Sequence, residues 1–257
     1  MLELYQFELS HYCEKVRFVL DYKGLPYRKV EVTPGLGQLD LYRLSGQRQV
    51  PVLKDGGTVI ADSTAIVEYL EHEYSDRPVI PTDSPEQGLC LILEEWADAS
   101  IGLNARKALI GSLGQNAAFP AALLPPETPD FVRTAATGLI QAVPPDLWCW
   151  LGAGAGFSPG DVAAAHRDLQ QNLKSLVLIL KEKPFLVGSR PTVADFAVAG
   201  LSWYIKFPDF PGLGIPDALR GTGVPGLADD PHFESFFSWR DRLYRNYRNL
   251  SAAGDQN

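Results

Sequence analysis

The sequence predicts a small α/β domain followed by an all-α domain, and three observations support this division. Residues 1–75 alternate between strand-like and helix-like apolar patterns, in the order strand, helix, strand, strand, strand, helix. Residues 76–85 form a proline-rich break. Beyond the break, apolar residues recur at helical spacing. We therefore expect a first domain at 1–76, a linker at 77–87 and a second domain at 88–257.

The first domain opens with a βαβ pattern. Residues 2–7 alternate between apolar and polar side chains as a strand does, and residues 13–23 carry a helical pattern that stops at Gly24. Residues 26–32 alternate again and predict a second strand. This order of elements is typical of the start of a parallel sheet with a helix packed on it.

A β-hairpin and a helix complete the first domain. Residues 49–54 predict a third strand, and Asp55-Gly56-Gly57 is a turn sequence that leads into a fourth strand at 58–60. A helix is predicted to start near Ser63, and its apolar face carries Ile66, Val67 and Leu70.

The second domain is predicted to be a bundle of helices. One helix begins with Thr192-Val193-Ala194-Asp195, which is the sequence of an N-terminal capping box. Residues 112–160 are rich in Pro, Gly and Ala, and we expect an irregular insertion there with short helices near 131–142. The apolar residues at helical spacing are Leu89, Ile92, Leu93, Trp96, Leu169, Leu173, Leu176, Val177, Leu180, Phe233, Phe236, Phe237 and Tyr244.

The composition excludes several functional classes. Among 257 residues, 46% are hydrophobic and 21% are charged, which is typical of soluble globular proteins. The formal net charge of -8 argues against nucleic acid as a partner. No apolar run is long enough to span a membrane and no cleavable signal pattern is present, so we expect no membrane partner and a cytoplasmic location. The spacing of the histidines and cysteines indicates no metal site and no disulfide set, so Cys13, Cys90 and Cys149 are expected to be free thiols.

The turn between the first strand and the first helix carries a hydroxyl and a thiol. Ser10 stands where a helix N-cap belongs, and Cys13 follows in the first helical turn. A helix N-terminus presents free N–H groups and partial positive charge, which stabilise anions such as thiolates. The turn therefore indicates sulfur chemistry. These two residues alone also fit a plain helix cap followed by a small buried hydrophobic side chain.

Four motifs resemble those of the glutathione S-transferase superfamily, in the same order along the chain. Ser10-His11-Tyr12-Cys13-Glu14-Lys15-Val16-Arg17, after the first strand, resembles the active-site turn of its serine-type and cysteine-type members and of glutaredoxins. The other three are similar to its V-P-x-L sequence, its acidic-or-Gln-then-Ser motif and its helical capping box. They are Gln49-Val50-Pro51-Val52-Leu53, Ala61-Asp62-Ser63-Thr64-Ala65-Ile66 and Pro191-Thr192-Val193-Ala194-Asp195-Phe196. The resemblance covers both halves and implies a thioredoxin-like fold for the first.

The resemblance also implies glutathione as the co-substrate and assigns roles to residues. Ser10 is implied to be the catalytic residue whose hydroxyl stabilises the glutathione thiolate. The Val50–Pro51 bond is implied to be cis, and Ser63 is implied to hold the γ-glutamyl carboxylate. Asp62 departs from the usual Glu or Gln and has a shorter reach toward the glutathione amine. The implied glutathione-binding residues are His11, Tyr12, Gln49, Val50, Pro51, Asp62 and Ser63.

Tyr5 and Cys13 are the alternatives to Ser10 within the same turn. Some classes of the superfamily use a tyrosine of the first strand, but aligning residues 14–20 with those classes places their tyrosine at Gln6. A shift of one residue turns a strand side chain to the other face of the sheet, so we expect Tyr5 to pack in the core. Cys13 occupies the second position of a C-x-x-C pair, which ranks it below Ser10 as a nucleophile.

The implied activity is transfer of glutathione to an apolar electrophile or a peroxide, with a role in detoxification. The electrophile pocket is expected between the domains, although each candidate aromatic residue also fits ordinary core packing. A homodimer is implied, with residues 89–107 at its interface. A thiol transferase that works through Cys13 and a non-catalytic interaction module of the same fold stay open as alternatives. The candidate pocket residues are Tyr12, Trp96, Trp203, Tyr204 and Phe207.

Overall fold

The computed structural model describes residues 1–32, 37–112 and 158–249, together with Phe131, Thr134 and Gly138. These three single residues are helical and fall within the predicted 131–142 region, while most of the 112–160 insertion, including Cys149, lies outside the described residues. The strands are β1 (Leu2–Gln6), β2 (Tyr27–Glu31), β3 (Val52–Asp55) and β4 (Thr58–Ala61). The helices are α1 (His11–Lys23), α2 (Gln38–Ser45), α3 (Ser63–Glu73), α4 (Ser84–Trp96), α5 (Leu103–Gly111), α6 (Pro159–Leu180), α7 (Val193–Leu201) and α8 (Glu234–Tyr247). A π-helical turn (Ala97–Gly102) joins α4 to α5, and 3-10 turns lie at Ser202–Tyr204, Asp217–Leu219 and Pro231–Phe233.

The four strands form one mixed sheet in the order β2-β1-β3-β4. β1 runs parallel to β2 and antiparallel to β3, and β3 and β4 form the predicted hairpin. The register pairs Tyr5 with Val52 and Val52 with Ala61. The last residues of β1, the first of β3 and the last of β4 therefore lie side by side at one end of the sheet, which we name the upper end.

Helix α1 starts at the upper end of the sheet. It begins at His11, two residues before the predicted start, because Ser10 is its N-cap and accepts a hydrogen bond from the Cys13 amide at 3.4 Å. It ends at Gly24, where φ is 70°, a left-handed conformation that glycine adopts without steric cost. The predicted end of the helix is thus confirmed. Helices of both halves contact α1, so nearly all of its side chains are buried.

Helix α2 was not predicted from the sequence. It has only eight residues, and Leu41 is its one buried side chain. A single buried position does not repeat, so the sequence shows no helical periodicity there. Leu41 packs with Val32 and Val52, and Tyr5 packs against the same group. The expectation that Tyr5 is a packing residue is confirmed.

The second half is helical wherever the structure describes it as regular, apart from one isolated bridge between Lys206 and Gly223. Its central helix is α7, all of whose residues are buried. Asp195 Oδ2 accepts a hydrogen bond from the Thr192 amide at 2.8 Å, and its Oδ1 accepts one from the Leu186 amide at 2.8 Å, which confirms the capping box. Burial raises the pKa of the Asp195 carboxyl to about 6. Among the described residues, none of the helices combines the length and the apolar character needed to cross a membrane.

One hydrophobic core extends through both halves of the chain. The rings of Phe18 on α1 and Phe196 on α7 stack with their centroids 5.3 Å apart. Residues 74–83, all of them described, contain no helix or strand. Within this stretch Val79 is buried, and its carbonyl accepts a hydrogen bond from the Val193 amide at 2.8 Å. The connection between the halves is therefore packed onto the start of α7, and the boundaries at 76 and 88 stay a prediction.

Candidate active site

Three segments of the α/β half meet at the upper end of the sheet. The turn after β1 carries Ser10, the loop before β3 carries Pro51, and the turn after β4 carries Ser63. Helices α1 and α3 both begin here, so two helix N-termini contribute free N–H groups and partial positive charge. This arrangement suits a ligand that carries more than one anionic group.

Ser10 is half-buried in the turn after β1. Its backbone amide donates a hydrogen bond to the Phe7 carbonyl at 2.9 Å, which closes the turn, while its hydroxyl caps α1. The hydroxyl therefore stands at the positive end of the helix, where a neighbouring anion would be stabilised. The structure places the serine at the position that the sequence predicted.

Cys13 lies one helical turn further on and is completely buried. Burial raises the pKa of its thiol to about 11, and the charge of Arg17 and a hydrogen bond with the Ser10 hydroxyl offset only part of that rise. The thiol therefore stays protonated at neutral pH, and only a thiolate is a good nucleophile. This environment agrees with the ranking of Cys13 below Ser10.

The loop before β3 contains a cis peptide bond between Val50 and Pro51. This confirms the geometry that the family resemblance implied. Exposure decreases along the loop, because Gln49 is exposed, Val50 is half-buried and Pro51 is buried. The Gln47 side-chain amide donates a hydrogen bond to the Gln49 carbonyl at 2.9 Å and holds the loop from outside the sheet. The roles of Gln49, Val50 and Pro51 in ligand binding stay predictions.

The turn after β4 places Asp62 and Ser63 at the start of α3. Asp62 has a positive φ of 82°, which is uncommon for a residue with a side chain and costs about 1–3 kcal/mol. Asp62, and not Ser63, is the N-cap, since its Oδ1 accepts hydrogen bonds from the Thr64 and Ala65 amides at 2.9 and 3.2 Å. Ser63 is buried, and within the described residues its hydroxyl makes no hydrogen bond. Capping of α3 is therefore the role of Asp62, and it does not explain the presence of Ser63.

The ring of His11 packs between the two halves of the chain. Its Nε2 lies 3.2 Å from the Gly102 carbonyl, and its ring centroid is 4.4 Å from that of Tyr12 and 4.2 Å from that of Tyr204. Burial lowers the pKa of the imidazole to about 3, so the ring is neutral at physiological pH. The other ring nitrogen, Nδ1, is buried and makes no hydrogen bond within the described residues, and the role of His11 in binding glutathione stays a prediction. We name the rings of His11, Tyr12 and Tyr204 the aromatic cluster.

Two of the five predicted pocket residues are core residues. The side chains of Trp203 and Phe207 are completely buried, so they offer no surface to an incoming molecule, and the prediction that they line the pocket is wrong. Tyr12 and Tyr204 are half-buried and meet through His11. Trp96 is half-buried against the core, and its place in a pocket stays a prediction.

Comparison with known proteins identifies the family that the first half of the chain matches. Residues 4–78 match the family model of the glutathione S-transferase N-terminal domain. Residues 4–78 therefore form a glutathione S-transferase N-terminal domain. The theta class glutathione S-transferase from Xanthomonas axonopodis pv. citri, solved with glutathione bound, superposes with a TM-score of 0.61 at 20% identity, covering 100% of this chain and 98% of that one. At this identity the likeness shows a shared fold, which extends to the helical half.

Curated relatives within the superfamily align with only part of the chain. A glutathione S-transferase from Dianthus caryophyllus is 37% identical over 91 residues, which are 34% of this chain and 41% of that protein. A zeta class glutathione S-transferase from Euphorbia esula is 31% identical over 117 residues, which are 44% of this chain and 52% of that protein. The chain therefore spans about half the length of the curated relatives that it matches.

A buried ion network that the sequence did not predict connects α1 to the second half of the chain. Lys15 on α1 is completely buried, and its ammonium donates to both carboxylate oxygens of Asp98 at 2.9 Å, to Thr64 Oγ1 at 3.1 Å and to the Glu94 carboxylate. Thr64 Oγ1 also donates to Glu94 at 2.7 Å. Burial raises the pKa of the Asp98 carboxyl, and the Lys15 charge opposes that rise. The network thus joins α1, the residue after Ser63 and α4.

A second buried network lies further along α1. Glu14 accepts hydrogen bonds from Arg17 Nε at 2.6 Å and from Arg248 Nε at 2.7 Å. Burial alone would raise the pKa of the Glu14 carboxyl, but the Arg248 and Arg17 guanidiniums hold it below its ordinary value. Arg248 also pairs with Asp21, and the Asn249 amide donates to Asp21 Oδ2 at 3.0 Å. The polar residues of α1 would suggest a face exposed to solvent. These buried ion pairs could therefore not be predicted from a single sequence.

Proposed function

We propose that this protein binds glutathione at the upper end of the sheet and activates its thiol for attack on an electrophile. The observation that carries the proposal is the meeting of Ser10, cis-Pro51 and Ser63 at two helix N-termini. The match of residues 4–78 to the glutathione S-transferase N-terminal domain and a structural neighbour with glutathione bound support the same ligand.

In this proposal, Ser10 acts on the reacting sulfur. A free thiol has a pKa near ~8.5 and is mostly protonated at neutral pH. A hydrogen bond donated by the Ser10 hydroxyl, at the positive end of α1, would favour the thiolate, and the thiol proton would leave to solvent. The sulfur lone pair then forms a bond to the electrophilic carbon, and the leaving group departs with the electron pair of the broken bond. Holding both reactants in one site adds the advantage of proximity.

The other end of the tripeptide would be held by residues that take no part in the reaction. The γ-glutamyl carboxylate would accept hydrogen bonds from the Ser63 hydroxyl and from the Ser63 backbone amide at the start of α3. The backbone of Val50 would pair with the peptide, as the cis-Pro51 geometry of the superfamily implies. These contacts would fix the tripeptide in the orientation that brings its sulfur to Ser10.

The decisive experiment measures binding and turnover separately. Isothermal titration calorimetry with glutathione is expected to show binding to the whole chain, and 1-chloro-2,4-dinitrobenzene is expected to be converted to its glutathione thioether with release of chloride. Binding without turnover of any electrophile, peroxide or mixed disulfide would favour the interaction module. A chain that binds no glutathione would contradict the proposal altogether.

Replacing Ser63 with alanine is expected to raise the KM for glutathione and leave kcat nearly unchanged. The hydroxyl would contact a carboxylate that does not change during the reaction, so its loss removes binding equally from ground and transition states. One hydrogen bond to a charged group contributes about 1.5–3 kcal/mol. Steady-state kinetics at varied glutathione measures the effect.

The matched control for this variant is Ser84→Ala. Ser84 is also the first residue of a helix after an aspartate N-cap, but it is exposed at the start of α4. We expect its replacement to leave both constants unchanged. A fall in kcat at saturating glutathione for Ser63→Ala would contradict a purely binding role.

Replacing Cys13 with alanine is expected to leave the conjugation rate within about twofold of the wild type. The buried thiol is protonated at neutral pH, so it is unsuited to be the nucleophile. Cys90→Ala is the control, because Cys90 is the other buried free cysteine among the described residues. If Cys13→Ala alone abolishes activity while its thermal midpoint is retained, the thiol transferase that works through Cys13 replaces our proposal.

We also propose a cytoplasmic homodimer with a role in detoxification. Helix α4 exposes Leu89, Leu91 and Ile92, which are 47%, 41% and 68% exposed, and association would bury them. Buried free thiols at Cys13 and Cys90 suit a reducing compartment. Sedimentation velocity of the full chain measures the oligomeric state.

A further inference from the structure

Arg106 is a half-buried cation on α5 for which the described part of the chain provides no partner. Its guanidinium makes no hydrogen bond and no ion pair with any residue in 1–32, 37–112 or 158–249. Partial burial of a charge costs free energy unless an opposite charge or a hydrogen bond compensates it. The three more deeply buried cations described above, Lys15, Arg17 and Arg248, all have carboxylate partners.

The position of Arg106 places it next to the aromatic cluster. It follows Gly102 by four residues, so the two lie on one face of the helical path, and the Gly102 carbonyl is the group that His11 Nε2 contacts at 3.2 Å. Burial dominates the pKa of the three cluster side chains, and the positive charge of Arg106 lowers the pKa of each of them. The guanidinium is therefore close enough to act electrostatically on all three rings.

The carboxylates around Tyr12 already have partners of their own. Asp98 and Asp62 both raise the pKa of the Tyr12 hydroxyl, as burial does more strongly. However, Asp98 is bonded to Lys15 at 2.9 Å, and Asp62 caps α3 through the Thr64 amide at 2.9 Å. Neither pairs with Arg106, so within the described parts of the chain no carboxylate neutralises its charge.

We infer that Arg106 binds an anionic group, specifically a carboxylate, on the electrophile that the site accepts. This inference rests on the proposed function, because it concerns the molecule attacked by glutathione. The aromatic cluster begins at the residue next to Ser10, so a substrate could lie with its reactive carbon at Ser10 and its ring against Tyr12 and Tyr204. The planar guanidinium can pair with a carboxylate through two parallel hydrogen bonds. The substrate class would then be aromatic electrophiles with a carboxylate, in place of the purely apolar electrophile that the sequence suggested.

The test compares two glutathione conjugates that differ by one carboxylate. S-benzylglutathione and S-(4-carboxybenzyl)glutathione share the whole tripeptide, so the ratio of their dissociation constants reports only on the group at the electrophile position. Isothermal titration calorimetry with the wild type is expected to show about tenfold or tighter binding of the carboxylate, as a hydrogen-bonded ion pair would give. In Arg106→Gln the ratio is expected to fall to about one, whereas Arg106→Lys keeps part of the preference.

Lys107→Gln is the matched control, since it removes one positive charge from the neighbouring residue of the same helix. The charge of Lys107 acts on Asp161 at the start of α6, away from the aromatic cluster. Its replacement is expected to leave the ratio at the wild-type value, and the thermal midpoint of each variant shows whether it is folded. An equal fall in the ratio for Lys107→Gln would mean that net charge explains the preference, which overturns the inference.

Three further outcomes distinguish failure of the inference from failure of the proposed function. If the wild type binds both conjugates equally, the carboxylate has no subsite and the inference is wrong, while the proposed function stands. If Arg106→Gln weakens both conjugates by the same factor, Arg106 contacts the tripeptide and the inference is again wrong. If the wild type binds neither conjugate, the proposed function fails and the inference fails with it.

Discussion

Replacing Ser10 with alanine is expected to lower the rate of glutathione conjugation by about a hundredfold or more, the usual effect of removing one hydrogen-bond donor from a developing or stabilised anion. The pKa of the bound glutathione thiol is expected to rise at the same time, since the hydroxyl favours the thiolate over the thiol. Thiolate absorbance as a function of pH measures the pKa, and stopped-flow or steady-state assays measure the rate. Glutathione affinity is expected to change much less at a pH where the bound thiol is mainly protonated.

Two companion variants separate this chemistry from helix capping. Ser10→Gly also removes the hydroxyl but costs a helix N-cap only a few tenths of a kcal/mol, so it is expected to lose the rate while remaining as stable as the wild type. Ser175→Ala removes a half-buried hydroxyl on α6 that donates a hydrogen bond to the Gln171 carbonyl at 3.0 Å, and it is expected to change neither property. An unchanged thiol pKa and rate in Ser10→Gly would remove Ser10 from the mechanism.

Replacing Lys15 with methionine is expected to reduce the free energy of unfolding by about 3–5 kcal/mol, which is the usual cost of breaking a buried ion pair. The substitution keeps most of the side-chain volume but leaves Glu94 buried without its ammonium partner, and Asp98 loses the same partner. Urea unfolding followed by tryptophan fluorescence measures the loss. The KM for glutathione is also expected to rise, because Thr64, the neighbour of Ser63, is bonded to the same ammonium.

Lys54→Met is the matched control for this prediction. Lys54 pairs with Glu3 at 3.1 Å, but its side chain is 36% exposed, so its loss is expected to cost at most about 1 kcal/mol. A Lys15→Met variant that also carries Glu94→Gln and Asp98→Asn has no unpaired buried charge and is expected to recover part of the stability. Equal losses for Lys15→Met and Lys54→Met would show that the network is not a source of stability.

Local sequence signals were sufficient to predict the helix ends and the hairpin turn, whose conformations depend on residues close in sequence. Ser10 and Gly24 mark the start and end of α1, and the Asp55-Gly56-Gly57 turn marks the hairpin, because cap and turn residues act within one or two turns of their own position. Helix α2 could not be predicted in this way. A single buried leucine in eight residues is not a periodicity, and tertiary packing on the sheet decides its conformation.

The positions of candidate site residues could be predicted from the sequence where a motif fixes the backbone. They were harder to predict where the same type of side chain occurs both in a pocket and in the core. The motif residues Ser10, Pro51 and Ser63 all lie at the upper end of the sheet. Trp203 and Phe207 share the aromatic character of pocket residues but are buried in the core, and no single sequence distinguishes these two environments. Arg106 could not be singled out from the sequence, because the lack of a partner among the described residues is visible only when its surroundings are known.

The attachment of Arg248 to Glu14 has a consequence for how the chain acquires its structure. These residues are 234 positions apart, so Glu14 cannot gain this partner until a ribosome has synthesised the chain through Arg248. During synthesis, the α/β half emerges first with the polar side of α1 still open to water. The environment of α1, the helix that Ser10 caps, is thus completed late. The two halves, although separable by sequence pattern, are expected to mature as one cooperative unit.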